Sequence, residues 1–193
     1  NNLPAAVSVV GTEGAPAGTV VIQHATISQP SASAGTGVSV GAAFSGSLSL
    51  SSVSVTGGSA GVRVQSADAR VRLTNVTVRS PAGIGLNMAA AGTAIVGGAV
   101  SGCGGAAGIK LGPAAAGSTV TGTVVRDNDM DGIDVYAANT TVEGCSVLGN
   151  REDGIYLDTG AADSVVTGTV AGNNTRYGIY THALRTLIEN CSL

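Results

Sequence analysis

The stretch RYGIYTH, Arg176 to His182, holds two tyrosines, an arginine and one of the two histidines of the chain. A histidine titrates near neutral pH and can take up or return a proton. Tyr180, or Tyr156 from the preceding repeat, could act as the opposing acid, and Arg151 or Arg176 could neutralise a carboxylate on the substrate. Base, acid and neutralising cation are the three roles needed to remove a proton from a carbon beside a uronate carboxylate. His182, Tyr180 and Tyr156 are therefore the candidate catalytic residues. Asp134, Tyr136, Arg151, Asp158, Arg176 and Tyr177 form the candidate substrate-binding set. A tyrosine offers a flat face for a sugar ring and a polar tip, while Asp and Arg bond hydroxyls or carboxylates. Singly, such residues would suit a plain solvated face. All four tyrosines of the 193-residue chain fall after residue 135, however, and that clustering marks a surface of its own. His24 has no such company and reads as structural.

An internal repeat positions these residues. Glycine followed by a β-branched residue, a variable one and an apolar one recurs at Gly37, Gly61, Gly83, Gly108, Gly132, Gly154 and Gly178, at steps of 24, 22, 25, 24, 22 and 24. A second series runs in phase: IQHATI from Ile22, LSSVSV from Leu50, LTNVTV from Leu73, IVGGAV from Ile95, VTGTVV from Val120, VEGCSV from Val142, VTGTVA from Val166 and IENCSL from Ile188. Both are short alternating strands bounded by Gly, Asn or Asp. A unit of this size cannot bury its apolar positions alone, but stacked coils join them into interior ladders. The fold class is all-β: a single-stranded right-handed parallel β-helix of about eight coils, each 22–25 residues. Residues 1–17 read as an irregular segment or first partial coil and 18–193 as the solenoid, ending in mid-repeat. With Ile133, Ile155 and Ile179 inside, alternation turns Asp134, Tyr136, Tyr156, Asp158, Tyr180 and His182 outward on neighbouring rungs.

Composition agrees. Thirty glycines, no Trp and one Phe beside 44% hydrophobic residues imply a core of many small side chains held in close register. Only 11% of residues are charged and the net charge is −3, which offers no basic face for nucleic acid. No apolar run is long enough to span a membrane. Cys103, Cys145 and Cys191 are odd in number and widely spaced, so they read as small packing residues rather than a disulfide framework or zinc site. Asn128, Asn150 and Asn174 each stand four residues before a repeat glycine, which predicts an asparagine ladder at a turn.

No metal is assigned and no cofactor is required. The stretch DNDMDG, Asp127 to Gly132, opens like a calcium loop but lacks the terminal glutamate, Ala138 standing there. Asp131 and Asp153 share one register in adjacent coils, about 5 Å apart. Two carboxylates that close repel unless something relieves them; calcium could, and pairing with Arg151 is the simpler account.

As a whole, the repeats resemble those of the carbohydrate-active parallel β-helix superfamily, which includes pectate lyases, alginate lyases and mannuronan C5-epimerases. Locally, Tyr177-Gly178-Ile179-Tyr180-Thr181-His182 resembles the epimerase motif Tyr-Gly-Phe-Asp-Pro-His, which supplies that family's catalytic tyrosine, aspartate and histidine. Tyr177, Gly178 and His182 match it, Tyr180 stands in place of the aspartate and Thr181 in place of the proline. The resemblance implies a polysaccharide partner and a lyase or C5-epimerase acting on an acidic polysaccharide. The alternative is a non-catalytic shaft of a phage tail spike, fibre or surface adhesin, with a homotrimer or another chain covering the open C-terminal coil. Either expectation places the protein outside the cell: secreted, on the cell surface or on a virion.

Overall fold

The computed structural model describes residues 6–10, 18–30 and 35–193. Within them the chain winds into a solenoid of three parallel sheets. The first sheet has eight strands, from Val7–Val9 through Ile109–Leu111, Ile133–Val135 and Ile155–Leu157 to Ile179–Thr181. The second also has eight, from Thr19–Gln23 to Leu187–Glu189. The third has six, from Thr26–Gln29 to Ser146–Leu148, and single bridges at Val170 and Ser192 carry it through the last two coils. Every pairing is parallel and joins one coil to the next, so the all-β parallel solenoid expected from the repeats is the fold. No helix among the described residues is long and apolar enough to cross a membrane.

Alternation along each short strand builds the core. On the first sheet Val62, Leu86, Ile109, Ile133 and Ile155 stack in one interior row, and Val64, Met88, Leu111, Val135 and Leu157 in the next, all essentially sealed from solvent. Each such side chain contributes on the order of 1.5–3 kcal/mol by leaving water. Val120, Val142 and Val166 of the second sheet, with Val100, Val125 and Val147 of the third, close the triangle.

The corner between the second and third sheets explains why the second repeat series carries Gly or Asn at its third position in six of its eight copies. The residues there are His24, Ser52, Asn75, Gly97, Gly122, Gly144, Gly168 and Asn190, and all have φ between 50° and 64°. This left-handed conformation breaks each six-residue series into two strands, and Gly and Asn adopt it most cheaply. His24 is one of these corner residues, in keeping with a structural role.

One register expectation is corrected. Leu86 pairs with Val62 and with Ile109, so the glycine of that coil is Gly85, not Gly83. The steps become 24, 24, 23, 24, 22 and 24, more regular than first read. The outward residues of that rung are accordingly Asn87 and Ala89. The reason is packing. A Cβ at Gly61 would stand 2.5 Å from the Gly85 carbonyl oxygen, and one at Gly85 would stand 2.6 Å from that of Gly108. The row continues through Gly108 and Gly132, whose carbonyl neighbours would lie at 2.8 and 2.6 Å. Only glycine lets successive coils approach this closely.

The asparagine ladder forms as expected. Asn128 donates its backbone N–H (3.2 Å) and its Nδ2 (2.8 Å) to Asn150 Oδ1. Asn150 repeats both bonds to Asn174 Oδ1, at 3.0 and 2.9 Å. Cys103, one coil earlier, donates its N–H to Asn128 Oδ1 (3.1 Å) and so occupies the head of the row. All three cysteines are free; Cys103 and Cys145 are buried and Cys191 partly so. Burial pushes the Cys103 thiol up to about 12, which leaves it inert at neutral pH.

Candidate functional site: an aromatic face edged with carboxylates

Register on the first sheet decides which side chains meet. Lys110, Asp134, Tyr156 and Tyr180 occupy one outward row on four successive rungs. Tyr136, Asp158 and His182 follow two residues later on their own rungs. The rings form one continuous stack. Tyr156 lies 6.2 Å from Tyr136 edge-on and 6.0 Å from Tyr180 at an interplanar angle of 28°. Tyr180 stacks on Tyr177 at 5.1 Å and 17°, and His182 stands edge-on to Tyr180 at 4.9 Å and to Tyr156 at 6.1 Å. These geometries suit the ring quadrupoles. The Lys110 ammonium sits 4.6 Å from the centre of the Tyr136 ring, a cation–π contact.

Beside the rings the turn before each rung supplies a staircase of carboxylates. Asp131 Oδ1 accepts the backbone N–H of Asp153 (2.7 Å), and Asp153 Oδ1 accepts that of Tyr177 (3.0 Å). Each aspartate thus ties down the next coil at its own register. Arg176 lies 3.7 Å from Glu152 Oε2 and 3.6 Å from Asp153 Oδ2. Arg151 pairs with Asp129 at 3.0 Å. The expected pairing of Arg151 with Asp131 and Asp153 is therefore corrected. Arg151 follows its own register to Asp129, and a backbone N–H relieves the crowding of the two aspartates. Among the described residues, no cluster of three or more His, Cys, Asp or Glu side chains is arranged to hold a metal ion.

Asp134 is turned toward this staircase and buried, with 8% of its surface exposed. Burial first, and the neighbouring Asp131 second, push its carboxyl up to about 8, so it carries a proton at neutral pH. Among the described residues its Oδ1 has no hydrogen-bond partner, and neither has Asp153 Oδ2. Tyr156 donates its hydroxyl to Asp158 Oδ1 (3.1 Å). Desolvation raises the Asp158 carboxyl, but hydrogen bonds from Tyr156, Thr159 and the Gly160 and Thr159 amides outweigh it and leave the group below its usual range. Desolvation and nearby carboxylates raise the Tyr136 and Tyr156 phenols, which stay protonated donors. Tyr136, Tyr156, Tyr180, His182, Asp131, Glu152, Asp153 and Arg176 enclose a groove of about 390 Å³.

The right-handed β-helix region, as a family model, matches residues 60–193, more than half of the chain. The chain belongs to the right-handed β-helix family. Among solved structures, the A-module of a mannuronan C-5 epimerase from Azotobacter vinelandii superposes with a TM-score of 0.49 at 10% identity. The superposition covers 89% of this chain and 57% of that one, so this β-helix spans little more than half the length of that module's chain. No curated protein matches the sequence.

Of the nine site residues named from the sequence of this β-helix, five line the groove: Tyr136, Tyr156, Arg176, Tyr180 and His182. Tyr177 flanks it on Tyr180, and Asp158 reaches it through the Tyr156 hydroxyl. Asp134 lies beneath, buried, and Arg151 lies to the side on Asp129. Sequence reasoning missed Glu152 and Lys110. Glu152 was legible from the stacking row it shares with Arg176, whose N–H donates to the Glu152 carbonyl (3.1 Å). Lys110 was legible as the rung neighbour of Asp134.

Proposed function

We propose that the aromatic face of the last three rungs is a glycan-binding groove. The observation that carries this reading is the continuous row of aromatic rings, with Tyr136 edge-on to Tyr156 and Tyr156, Tyr180 and Tyr177 stacked, closed by His182 and edged by carboxylates. Rungs stacked at about 4.8 Å spread the three rung tyrosines over about 10 Å, long enough to carry more than one sugar ring. Ring faces take the apolar side of a pyranose, and carboxylates at the edge accept its hydroxyls. The volume lies within the roughly 300–1,000 Å³ usual for small-molecule sites.

A second reading, acid–base chemistry by a lyase or C5-epimerase, draws on the closeness of His182 to Tyr180 and Tyr156. It also needs a cation for the uronate carboxylate. Arg151 faces Asp129, and Arg176 faces Glu152 and Asp153, so a substrate carboxylate would have to displace a protein one. Binding therefore stands ahead of catalysis. A glycan array probed with the protein and with Tyr156→Ala tests the first reading: hits lost in the variant are expected, and an array with no hits overturns it. Proton NMR of polyuronates incubated in deuterated water tests the second. Deuterium at C5 or new unsaturated ends, absent with His182→Ala, would establish chemistry, and an unchanged spectrum across the panel would remove it.

A further inference from the structure

The charge around the aromatic stack narrows the kind of sugar it can hold. Asp131, Glu152 and Asp153 line the groove, and Asp158 is bonded to one of its tyrosines. Against these carboxylates stand two cations among the described residues near the stack, Arg176 and Lys110. Arg176 is already shared between Glu152 and Asp153, and Lys110 is seated over Tyr136. A polyuronate would bring a carboxylate with every ring into a site that holds an excess of its own. Like charges at such separations cost binding energy.

Two further observations point to a positive ligand group. Asp153 is 1% exposed and lines the groove, yet its Oδ2 has no hydrogen-bond partner among the described residues; Arg176 Nη1 at 3.6 Å is too far to serve as one. That oxygen lies within ion-pair range of Arg176 but accepts no hydrogen bond, and a charged donor in closer reach would complete it. The second is the Lys110 ammonium itself, which already rests on the face of Tyr136. Tyr156 offers a further ring of the same row to an ammonium brought by a ligand.

We propose that the groove selects a glycan bearing free amino groups, of the polyglucosamine type, and turns polyuronates away. The selection rests on the glycan-binding reading above and adds its charge class. The sugar ammonium would approach Asp153 Oδ2 and Glu152 from the groove while its ring lies against Tyr156 or Tyr180.

The test is titration calorimetry with three oligosaccharides of matched length: glucosamine, N-acetylglucosamine and galacturonate oligomers. Mildly acidic buffer keeps the sugar amine protonated. The glucosamine oligomer is expected to bind at least about tenfold more tightly than its N-acetylated counterpart, with affinity falling as salt rises. The galacturonate oligomer is expected not to bind. Glu152→Gln, at a half-exposed position, should reduce the preference several-fold while leaving the fold intact. Asp153→Asn, which keeps an acceptor for the Tyr177 N–H, should reduce it further. Equal binding of the glucosamine and N-acetylglucosamine oligomers, or tighter binding of galacturonate, overturns the charge assignment and leaves the groove as a glycan site. Failure of all three oligomers, together with an array without hits, overturns the groove itself.

Discussion

Tyr156 holds Tyr180 at a centroid distance of 6.0 Å and an interplanar angle of 28°, so the two rings stack across neighbouring coils. Parallel pairing of their rungs sets this spacing, because Tyr156 and Tyr180 are direct register partners. Replacing Tyr156 with alanine removes the central ring and its contacts with Tyr136, Tyr180 and His182. Glycan affinity is expected to fall by about tenfold or more, since a central aromatic anchor commonly carries such a share. Stability should fall by no more than about 0.5–1.5 kcal/mol per lost ring pair, as the side chain is only half-buried. Tyr156→Phe separates the two effects. It keeps the stack and deletes the hydrogen bond to Asp158, so affinity should hold near wild type. Calorimetry beside urea unfolding of both variants checks this, and equal loss of affinity in Tyr156→Phe would shift the credit from ring face to hydroxyl.

Asp134 makes the stability of the protein pH-dependent in a direction unusual for a carboxylate. Its folded value of about 8 lies above the ordinary 3.8, through burial and the nearby Asp131. Between those values the folded state binds a proton that the unfolded state has released. The stabilising contribution is thus complete below about pH 4, declines as pH rises, and is lost by about pH 8. Asp134→Asn, which cannot ionise, should flatten this slope and be more stable than wild type at the alkaline end. Unfolding midpoints of the two proteins across this range decide the point; parallel slopes would mean that another group is responsible.

The fold was legible because a solenoid writes its geometry into the sequence once per coil. Interior rows, the corner Gly and Asn and the asparagine ladder all recur at the period, and each has one physical cause. Slippage entered only at Gly83, where a second glycine and an isoleucine mimic the pattern two residues early. Sequence alone gives the motif there but not the close approach that selects Gly85. In the site, the rows were legible and the pairings were not. Arg151 was assigned to Asp131, two residues from the right acid, yet stacking sends it to Asp129. Depth was hidden too: Asp134 shares an outward row with Tyr156, but it is buried, and that burial with Asp131 beside it changes its charge.

The glycine row gives a direct stability comparison. A Cβ at Gly85 would meet Val100 Cγ1 at 2.4 Å, the Gly108 carbonyl oxygen at 2.6 Å and Cys103 Sγ at 3.0 Å. Backbone cannot yield as a side-chain tip can, so Gly85→Ala must push two coils apart, at a cost of about 1–3 kcal/mol or more. At Gly172 the first atom a Cβ would touch is Leu148 Cδ2 at 3.7 Å, an ordinary contact. Gly172→Ala is therefore expected to be neutral or slightly stabilising, through the lower entropy of its unfolded chain. Chemical denaturation of both variants reads the difference directly. Similar midpoints would show that the coils are looser than their carbonyl spacing implies.

Asn150 carries the heaviest demand of any polar side chain in the interior. Its Oδ1 accepts both the N–H and the Nδ2 of Asn128, and its own Nδ2 donates to Asn174 Oδ1. Alanine there strands the Asn128 donors in a region closed to water, each worth about 1–3 kcal/mol when left unmade. Asn150→Ala should accordingly be among the most damaging single changes on this face, more so than Asn174→Ala, whose site is partly open to solvent. Asn150→Asp gives the sharper test. The carboxylate still accepts from Asn128 but sets an oxygen against Asn174 Oδ1, where a donor is required. It should be tolerated only when protonated, so its unfolding midpoint should rise as pH falls, while that of Asn150→Ala shows no such gain over wild type. An Asn150→Asp midpoint that tracks wild type at every pH would remove the hydrogen-bond ladder as a source of stability and leave Asn150 as packing alone.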